Sequence, residues 1–285
     1  MPNMDDSVEE AAAADKAKRS KSGQDGANSL TSMLSILDLF TPSSPIWATN
    51  DIIEALQASR STGYRYIKSL TNAGMLSAVG NGYYGLGPRI IELDLQIRQT
   101  DPLYLAGGDI LQQLVEATGQ SAVLAMLFRN SVLCIRQHLA PLSSPHLFSR
   151  GQRRSFFSGA LSKVILAHLP NHRLRIIYDK RQADIEAAHL GTSWDEFRQA
   201  LSKIRKNGYF LSHGEFNPGI VGIAAPILNS DQVILGSIGI ALHQEELAGV
   251  DANRLAVSVK RAARSVSEKM QDAFPGTDLP PRAVS

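Results

Sequence analysis

One stretch of the chain, Ala58–Ala73, has the spacing of a helix with two different faces. Its three cations, Arg60, Arg65 and Lys68, are accompanied by no carboxylate. At about 3.6 residues per turn, one face is polar and basic and the opposite face is apolar. The polar face carries Ser61, Arg65 and Lys68, with Thr62 and Tyr64 beside them, and the apolar face carries Tyr66, Ile67 and Leu70.

Such a helix can bury its apolar side in a small domain while its basic side offers donors to phosphates and base edges. Ser59 is a candidate N-cap for it. An ordinary solvated helix is the alternative, because basic faces are common on protein surfaces. Between Ala55 and Ile91, however, the sequence has four Arg or Lys residues and no Asp or Glu, whereas the whole chain has a net charge of only +2. This placement favours a localised site for a polyanion.

The neighbouring segments predict the domain around this helix. Proline ends the first apolar stripe at Pro42, and Gly80-Asn81-Gly82 is a hairpin turn signal. Three helices followed by a hairpin make a winged helix-turn-helix, whose second motif helix enters the major groove. The predicted elements are a helix through Leu30, Met33, Leu34, Leu37 and Phe40, a helix Asp51–Leu56 capped by Thr49 or Asn50, the helix after Ser59, and strands Met75–Val79 and Tyr83–Leu86.

The remainder of the chain predicts a second, α+β domain. At 285 residues the chain is long enough for two domains at roughly 100 to 200 residues each. Helices and strands interleave, which favours helices packed on a central antiparallel sheet. The predicted helices are Arg89–Gln99, ended by Asp101-Pro102, then Leu103–Thr118, Ala160–Leu169, Leu174–Tyr178, Trp194–Lys206 and Leu247–Met270, and the strands are Ala122–Phe128, Val132–Gln137, Ile220–Leu228 and Val233–Leu242. The stripe of Leu103–Thr118 is Leu105, Ile110, Leu111, Leu114 and Val115.

Composition excludes several classes of protein. The single cysteine, Cys134, excludes an intramolecular disulfide and a cysteine-based zinc site, and its apolar surroundings indicate a core thiol. The seven histidines follow no metal-ligand spacing. No apolar run of about 18 residues and no secretory signal is present, so we expect a cytoplasmic protein without a membrane span. Residues 1–27, biased towards Ala, Ser, Lys and Asp, and residues 274–285 are predicted to be disordered tails.

Four segments resemble one family of proteins. SRSTGYRYIKSLTNAGML and YYGLGPRIIEL are similar to the recognition helix and the wing-to-linker junction of the isocitrate lyase regulator (IclR) family of bacterial transcription factors. RGQRRSFFSGALSKVILAHLP and NGYFLSHGEFNPGIVGIAAPI resemble two later segments of that family, in the same order. Gly63 stands where a small or β-branched apolar residue is usual, and Ser162 where glycine is common. Glycine costs about 1 kcal/mol in a helix, so this helix is softer or approaches its neighbour more closely.

The resemblance implies an α+β protein in which a winged helix-turn-helix, residues 28–88, is joined by a linker helix, 89–101, to a GAF-like effector-binding domain, 102–273. It also implies a transcriptional regulator that binds double-stranded operator DNA and a small organic acid, assembles as a homodimer or homotetramer, and needs no cofactor. We expect Arg60 and Arg89 to contact phosphates. The predicted DNA-binding residues are Thr49, Arg60, Ser61, Thr62, Tyr64, Arg65, Lys68 and Arg89.

The predicted effector site is built around Ser158-Gly159-Ala160, which opens a helix whose free N–H groups suit a carboxylate. The family's matching residues bind organic acids, which implies a ligand shelf at Gly159, Ala160 and Leu161. The alternative is a helix N-terminus that packs tightly without a ligand. The further positions that the resemblance implies are Met126, Cys134, Ser212, Ile220, Gly222, Gly239 and Ala241.

The last five of these positions suggest the kind of effector. Regulators of glyoxylate-like acids typically carry Asp, Leu, Cys and two Ser there. Fewer side-chain donors and more glycine predict a larger, less polar cavity and a bulkier effector, such as an aromatic acid or its ring-opened product.

Several features leave alternatives open. Glu215, in the loop Gly214–Gly219, is either an acceptor for backbone amides or a ligand contact. The cations Arg150, Arg153 and Arg154 either pair with an effector carboxylate or are solvated. Since the sequence carries none of the common hydrolase, phosphate-loop, dinucleotide or zinc-protease motifs, we expect no enzyme. A signalling or scaffold protein whose winged helix binds protein is the alternative to a DNA-binding regulator.

Overall fold

The computed structural model describes residues 29–141, 149–247 and 249–273. The chain divides into two compact units, Met1–Ile97 and Arg98–Ser285, here called the N-terminal and C-terminal units. Both predicted tails, 1–27 and 274–285, lie outside the described residues. Within those ranges, none of the helices combines the length and hydropathy needed to cross a bilayer.

The N-terminal unit contains the predicted helices and hairpin. Its three-stranded antiparallel sheet has the order β1-β3-β2. The elements are α1 (residues 29–35), a 3-10 turn (Ile36–Leu39), β1 (Trp47–Ala48), α2 (Thr49–Ala55), α3 (Arg60–Asn72), β2 (Leu76–Gly80), β3 (Tyr83–Leu86) and α4 (Arg89–Thr100), which spans the division between the units.

The core of this unit is formed by the apolar face of α3 against α2 and the 3-10 turn. Ile36, Ile52 and Ile67 are almost completely buried. Gly63 is required at the crossing of α2 and α3, because a Cβ atom there would lie 2.4 Å from Cγ1 of Ile53. The closer approach expected of this glycine is therefore confirmed.

Two details of the sequence reading are wrong in this unit. Leu30 and Leu34 are exposed, because α1 ends at residue 35 and the tighter 3-10 turn directs Ile36 into the core instead. The second helix begins at Thr49, with Ala48 at the N-cap and no side-chain cap. Neither Thr49 nor Asn50 caps it, since the Thr49 hydroxyl donates to the carbonyl of Gly82.

The C-terminal unit is built on a six-stranded antiparallel sheet with the order β6-β5-β4-β9-β8-β7. Its elements are α5 (Pro102–Thr118), β4 (Ser121–Phe128), β5 (Ser131–His138), β6 (Arg153–Arg154), α6 (Ala160–Ala167), α7 (Asn171–Lys180), α8 (Gln182–Ala187), α9 (Trp194–Asn207), β7 (Phe210–His213), β8 (Ile220–Leu228), β9 (Ile234–His243), α10 (Gln244–Leu247) and α11 (Ala252–Ala273).

Helices cover both faces of this sheet. On one face α5 and α11 pack on alternate residues of the strands, among them Leu124 and Met126. On the other face α6 packs on the sheet and α9 packs on α6, and the intervening strand residues, among them Val123 and Ala125, belong to this layer. The two-residue period of each strand thus decides which helix layer a side chain meets.

Some predicted elements of this unit differ from the observed ones. The final helix, predicted as Leu247–Met270, is interrupted: α10 ends at Leu247, and α11 begins at Ala252 after Asp251, whose carboxylate accepts from the Asn253 amide. Leu105 is exposed instead of buried. Strands β6 and β7 and helix α8 were not predicted, because short elements depend on tertiary pairing more than on local pattern.

Candidate functional site

Helix α3 presents the predicted polar face to solvent. Its N-terminus is capped by Ser59, whose hydroxyl oxygen accepts from the Thr62 amide at 3.3 Å and donates to the Thr62 hydroxyl at 3.0 Å. Tyr64 is 55% exposed. The exposed members of the face are Arg60, Ser61, Tyr64, Arg65 and Lys68, and Thr62 is half-buried.

No carboxylate lies on α3, and the guanidinium of Arg65 lies 5.6 Å from the ring centroid of Tyr66. Tyr66 is buried, whereas Arg65 is exposed to solvent. An exposed helix face of guanidinium, ammonium and hydroxyl donors with an apolar back suits insertion into the major groove.

Two predicted members of the DNA-binding set have partners within the chain. Both the amide and the hydroxyl of Thr49 donate to the carbonyl of Gly82, at 2.9 and 2.8 Å, and tie α2 to the hairpin turn. A hydroxyl proton in that bond is not available to a phosphate. Arg89 forms an ion pair with Glu92, with 2.6 Å between Nη1 and Oε2, so its charge is matched on its own helix.

Six of the ten predicted effector residues line a cavity between the N-terminus of α6 and strands β7 and β8. They are Gly159, Ala160, Leu161, Ser212, Ile220 and Gly222. The cavity has a volume of about 30 Å³. Its other lining residues are Arg154, Ser158, Ser162, Phe216, Asn217, Ile223 and Ile240.

The other four predicted effector residues do not line this cavity. Met126 packs on the opposite face of the sheet, among residues of α5 and α11. Cys134 and Ala241 are on the α6 face but lie within its packed core. Gly239 is a site of close packing, because a Cβ atom there would lie 2.6 Å from the Ile223 carbonyl oxygen.

The cavity is small in this structure. A volume of about 30 Å³ is on the scale of a single water molecule. At Gly222 a Cβ atom would lie 2.9 Å from the Ser212 hydroxyl and 3.4 Å from the Ala160 Cβ. The glycines leave no empty space, because neighbouring side chains and strands have closed around them.

The amide shelf at the start of α6 is occupied by the chain itself. The Gly159 amide donates to Oε2 of Glu215 at 2.9 Å, and the Ala160 amide donates to the Ser212 hydroxyl at 3.1 Å. Glu215 is therefore an acceptor for a backbone amide, as one of the two sequence alternatives proposed.

An ion pair with one buried partner supports this arrangement. Lys163, whose side chain is 4% exposed, lies 2.8 Å from Oε1 of Glu215 and donates to the Ala188 carbonyl at 3.1 Å. Glu215 thus joins α6 to the loop that contains it by two separate contacts. Because Lys163 is buried, removal of Glu215 would leave the Lys163 charge poorly compensated, so the loss of this contact is expected to destabilise the protein.

Arg154 contributes a buried charge to the cavity. It is 5% exposed, and its guanidinium carbon lies 3.3 Å from the ring centroid of Phe216. Burial lowers the pKa of Arg154 to about 10, so it remains a cation at neutral pH. Of the three arginines considered from the sequence, Arg154 lines the cavity, whereas Arg150 donates to the carbonyl of Ile135.

Neither thiol chemistry nor metal binding is indicated here. Burial raises the pKa of Cys134 to about 11, so its thiol is neutral and behaves as part of the core, as predicted. Among the described residues, no group of three His, Cys, Asp or Glu side chains is arranged to hold a metal ion.

Sequence reasoning missed Phe216 and Ser162 as lining residues. Phe216 adjoins Glu215 in a loop that already carried a recognisable pattern, and an aromatic residue beside a fixed carboxylate was the available signal. Ser162 was noted only as a departure from glycine. Its hydroxyl oxygen is buried and makes no hydrogen bond with the described residues.

Comparisons with known proteins agree with this architecture. The family model for the bacterial transcriptional regulator IclR C-terminal domain matches residues 101–268. The chain is 23% identical to a probable HTH-type transcriptional regulator, ArcR, of Halobacterium salinarum, over 78% of this chain and 86% of that protein.

Solved structures share the fold. An IclR transcriptional regulator from Alicyclobacillus acidocaldarius has a TM-score of 0.72 at 23% identity, covering 85% of this chain and 98% of that one. An IclR homologue from Microbacterium hydrocarbonoxydans, complexed with 4-hydroxybenzoate, has a TM-score of 0.68 at 19% identity, covering 86% and 99%.

Proposed function

Because this chain belongs to the IclR family of bacterial transcriptional regulators, we propose that it reads operator DNA through α3 and responds to a small organic acid bound beside α6. The observation that carries the first part is the exposed face of α3, on which Arg65 and Lys68 stand without a carboxylate. Ser61, Thr62 and Tyr64 complete the face that enters the major groove, and Arg60 contacts phosphate.

Arg89 has a secondary place in this proposal, because its pair with Glu92 must open before it can bind a phosphate. Thr49 acts through the hairpin that it holds in place. Symmetric half-sites require two α3 helices related by a two-fold axis, so we propose a homodimer or a tetramer of this chain. The domain division at 28–88, 89–101 and 102–273 belongs to the same proposal.

The effector in this proposal is an aromatic organic acid. The lining of apolar residues with one buried cation, Arg154, suits a carboxylate attached to an apolar body. The solved relative with 4-hydroxybenzoate supports an aromatic acid as the class. Since the cavity is about 30 Å³, binding of such a ligand requires the cavity to open.

An electrophoretic mobility shift with the gene's own upstream DNA tests the function. We expect a sequence-specific complex whose affinity changes on addition of 4-hydroxybenzoate. Arg65→Ala should lose roughly 1–3 kcal/mol of discrimination between operator and random DNA if Arg65 reads a base. If Arg65 contacts a phosphate instead, Arg65→Ala should weaken binding to operator and random DNA alike and reduce the dependence of the affinity on salt.

Lys203→Ala is the matched control, since Lys203 is an exposed cation on α9, outside α3. It should leave the affinities for operator DNA and for random DNA unchanged. Equal operator affinity of Arg65→Ala and the parent protein would reject α3 as the reading element. Failure of the parent to bind any DNA would favour the alternative of a signalling protein whose winged helix binds protein.

A further inference from the structure

A second cavity lies in the C-terminal unit, and it shares no lining residue with the effector cavity. It is enclosed by α7, by the turn that joins β4 to β5, and by the segment between β6 and α6, and is here called the α7 cavity. Its volume is about 310 Å³, compared with about 30 Å³ for the effector cavity. Ligand sites in proteins commonly have volumes of roughly 300–1,000 Å³, so the α7 cavity is large enough to hold a small molecule as it stands.

Part of the lining of the α7 cavity is apolar. Phe156, Phe157 and Ile177 line it and are themselves buried. Ile176, which also lines it, is 53% exposed, so the apolar lining continues to the surface of the protein. An apolar lining that meets water is stabilised when the apolar part of a ligand covers it.

Two cations of α7 line the same cavity. Arg173 and Lys180 are seven residues apart, which places them on one face of the helix about 10 Å apart along its axis. Both side chains are long enough to reach one anion between them. The Arg173 guanidinium donates to the carbonyl of Arg129, and this bond positions its charge without neutralising it. Partial burial also lowers the pKa of Arg173, because it removes water from the guanidinium.

These two charges are not compensated within the described part of the chain. Among the described residues, no Asp or Glu lines the α7 cavity. Arg181, a further lining cation, has its own partner, the carboxylate of Asp184. The ammonium group of Lys180 forms no hydrogen bond or ion pair with a described residue. An apolar cavity with two uncompensated cations is suited to a ligand that is both anionic and apolar.

We propose that the α7 cavity is a second ligand site, and that it binds an organic phosphate monoester with an apolar body. The phosphate lies between the Arg173 guanidinium and the Lys180 ammonium, and the apolar body lies against Phe156, Phe157 and Ile177. This site is separate from both the exposed face of α3 and the effector cavity, so the inference goes beyond the proposed function.

The charge of the site favours a phosphate over a carboxylate. A phosphate monoester carries a charge of about −1.5 to −2 at pH 7, which matches two uncompensated cations. Arginine can bind it with two parallel hydrogen bonds, and lysine binds it as a point charge. A carboxylate with the same apolar body would neutralise only one of the two cations. Inorganic phosphate has no apolar part to cover the phenylalanine rings.

Isothermal titration calorimetry of the full chain with naphthyl phosphate tests the ligand class. We expect this compound to bind more tightly than three compounds that each lack one of its features. Naphthoate has a single negative charge and should bind at least about threefold more weakly. Inorganic phosphate lacks the ring and naphthol lacks the phosphate, so each should bind at least about tenfold more weakly.

Two variants test whether binding takes place in the α7 cavity. Lys180→Gln should weaken the binding of naphthyl phosphate roughly three- to fivefold, as expected for an exposed charge pair. Lys206→Gln is the matched control, because Lys206 is an exposed cation of α9 that does not line the cavity, and it should bind like the parent. Ile176→Ala should weaken the binding of naphthyl phosphate about threefold and leave that of inorganic phosphate unchanged, because only apolar contact is lost.

Four results would overturn the inference. Failure of the parent to bind naphthyl phosphate would remove the ligand site, and equal binding by the parent and Lys180→Gln would place the ligand elsewhere. Naphthoate that bound as tightly as naphthyl phosphate would remove the phosphate class. A change in the mass of the assembly in Ile176→Ala, measured by light scattering, would show that a second copy of the chain covers the cavity. Operator binding is measured separately by mobility shift, so none of these results decides the proposed function.

Discussion

The exposed face of α3 and the N-terminus of α6 use similar donors in opposite ways. On α3, Arg65 and Lys68 point into solvent and no carboxylate lies on the helix. At the start of α6, the Gly159 amide donates to the Glu215 carboxylate and the Ala160 amide donates to the Ser212 hydroxyl. A surface that meets a large, hydrated duplex can stay exposed, because water satisfies its donors until DNA arrives. At the start of α6 the chain itself satisfies these two amides, because leaving buried donors without partners is costly.

The largest expected effect on stability comes from removing Glu215, the carboxylate that pairs with the start of α6. Glu215→Ala leaves the buried Lys163 ammonium with the Ala188 carbonyl as its one remaining acceptor among the described residues, and should destabilise the protein by about 3 kcal/mol. Urea denaturation followed by circular dichroism measures the change. Glu268→Ala, at an exposed position of α11, is the control and should stay within about 0.5 kcal/mol of the parent.

The same variant sharpens the comparison through ligand rescue. With Glu215 removed, the Gly159 amide is available to an external carboxylate, so acetate should raise the melting temperature of Glu215→Ala more than that of the parent. Equal shifts in the two proteins would mean that the start of α6 does not accept an external anion even when its own acceptor is absent.

A second effect, of about 2–3 kcal/mol in the free energy of unfolding, comes from the ionisation of Cys134 in the core beneath α6. Burial raises the pKa of Cys134 from an ordinary 9.0 to about 11. The unfolded thiol ionises at lower pH than the folded one, so this contribution to stability is complete below pH 9 and is lost as the pH rises towards 11. Urea denaturation between pH 8 and pH 11 measures it.

Cys134→Ala isolates this contribution from the other groups that titrate in alkali. The variant is expected to lose less stability than the parent across the same pH range. A parallel decline in both proteins would show that Cys134 is not the group responsible.

A smaller effect tests the scaffold behind the exposed face of α3. Gly63→Ala places a methyl group 2.4 Å from Cγ1 of the buried Ile53, and such overpacking costs about 1–3 kcal/mol. The gain in helix propensity, about 1 kcal/mol, offsets part of this. We expect net destabilisation, together with weaker operator binding because α3 is displaced.

Ser69→Ala is the control for helix propensity, since Ser69 is exposed on α3 and its substitution introduces no clash. It should be neutral or slightly stabilising. A Gly63→Ala variant that behaved like this control would show that α2 and α3 can separate at no cost.

The two regions also differ in how far the sequence could predict them. The α3 face follows from one local period, so the exposure of Arg65 and the burial of Ile67 could be read directly from their spacing. The α6 cavity combines residues of β6, β7, β8 and a loop, which only the fold brings together. Met126 lies on the face away from this cavity, which could not be predicted because the sequence pattern of a fully apolar strand does not reveal its phase. The closure by Glu215 and Phe216 depends on tertiary contacts that no local pattern encodes.

The smallest expected effect comes from Thr49 and decides whether its hydroxyl meets DNA or only bonds within the chain. Thr49→Val removes the hydroxyl donor to Gly82 but keeps the amide bond, so it should destabilise the N-terminal unit by about 1 kcal/mol. If Thr49 acts only by holding the hairpin, the dependence of operator affinity on salt stays that of the parent, because no phosphate contact is lost. A reduced salt dependence, measured by mobility shift from low to moderate salt, would instead place Thr49 with Arg65 and Lys68 among the residues that meet DNA.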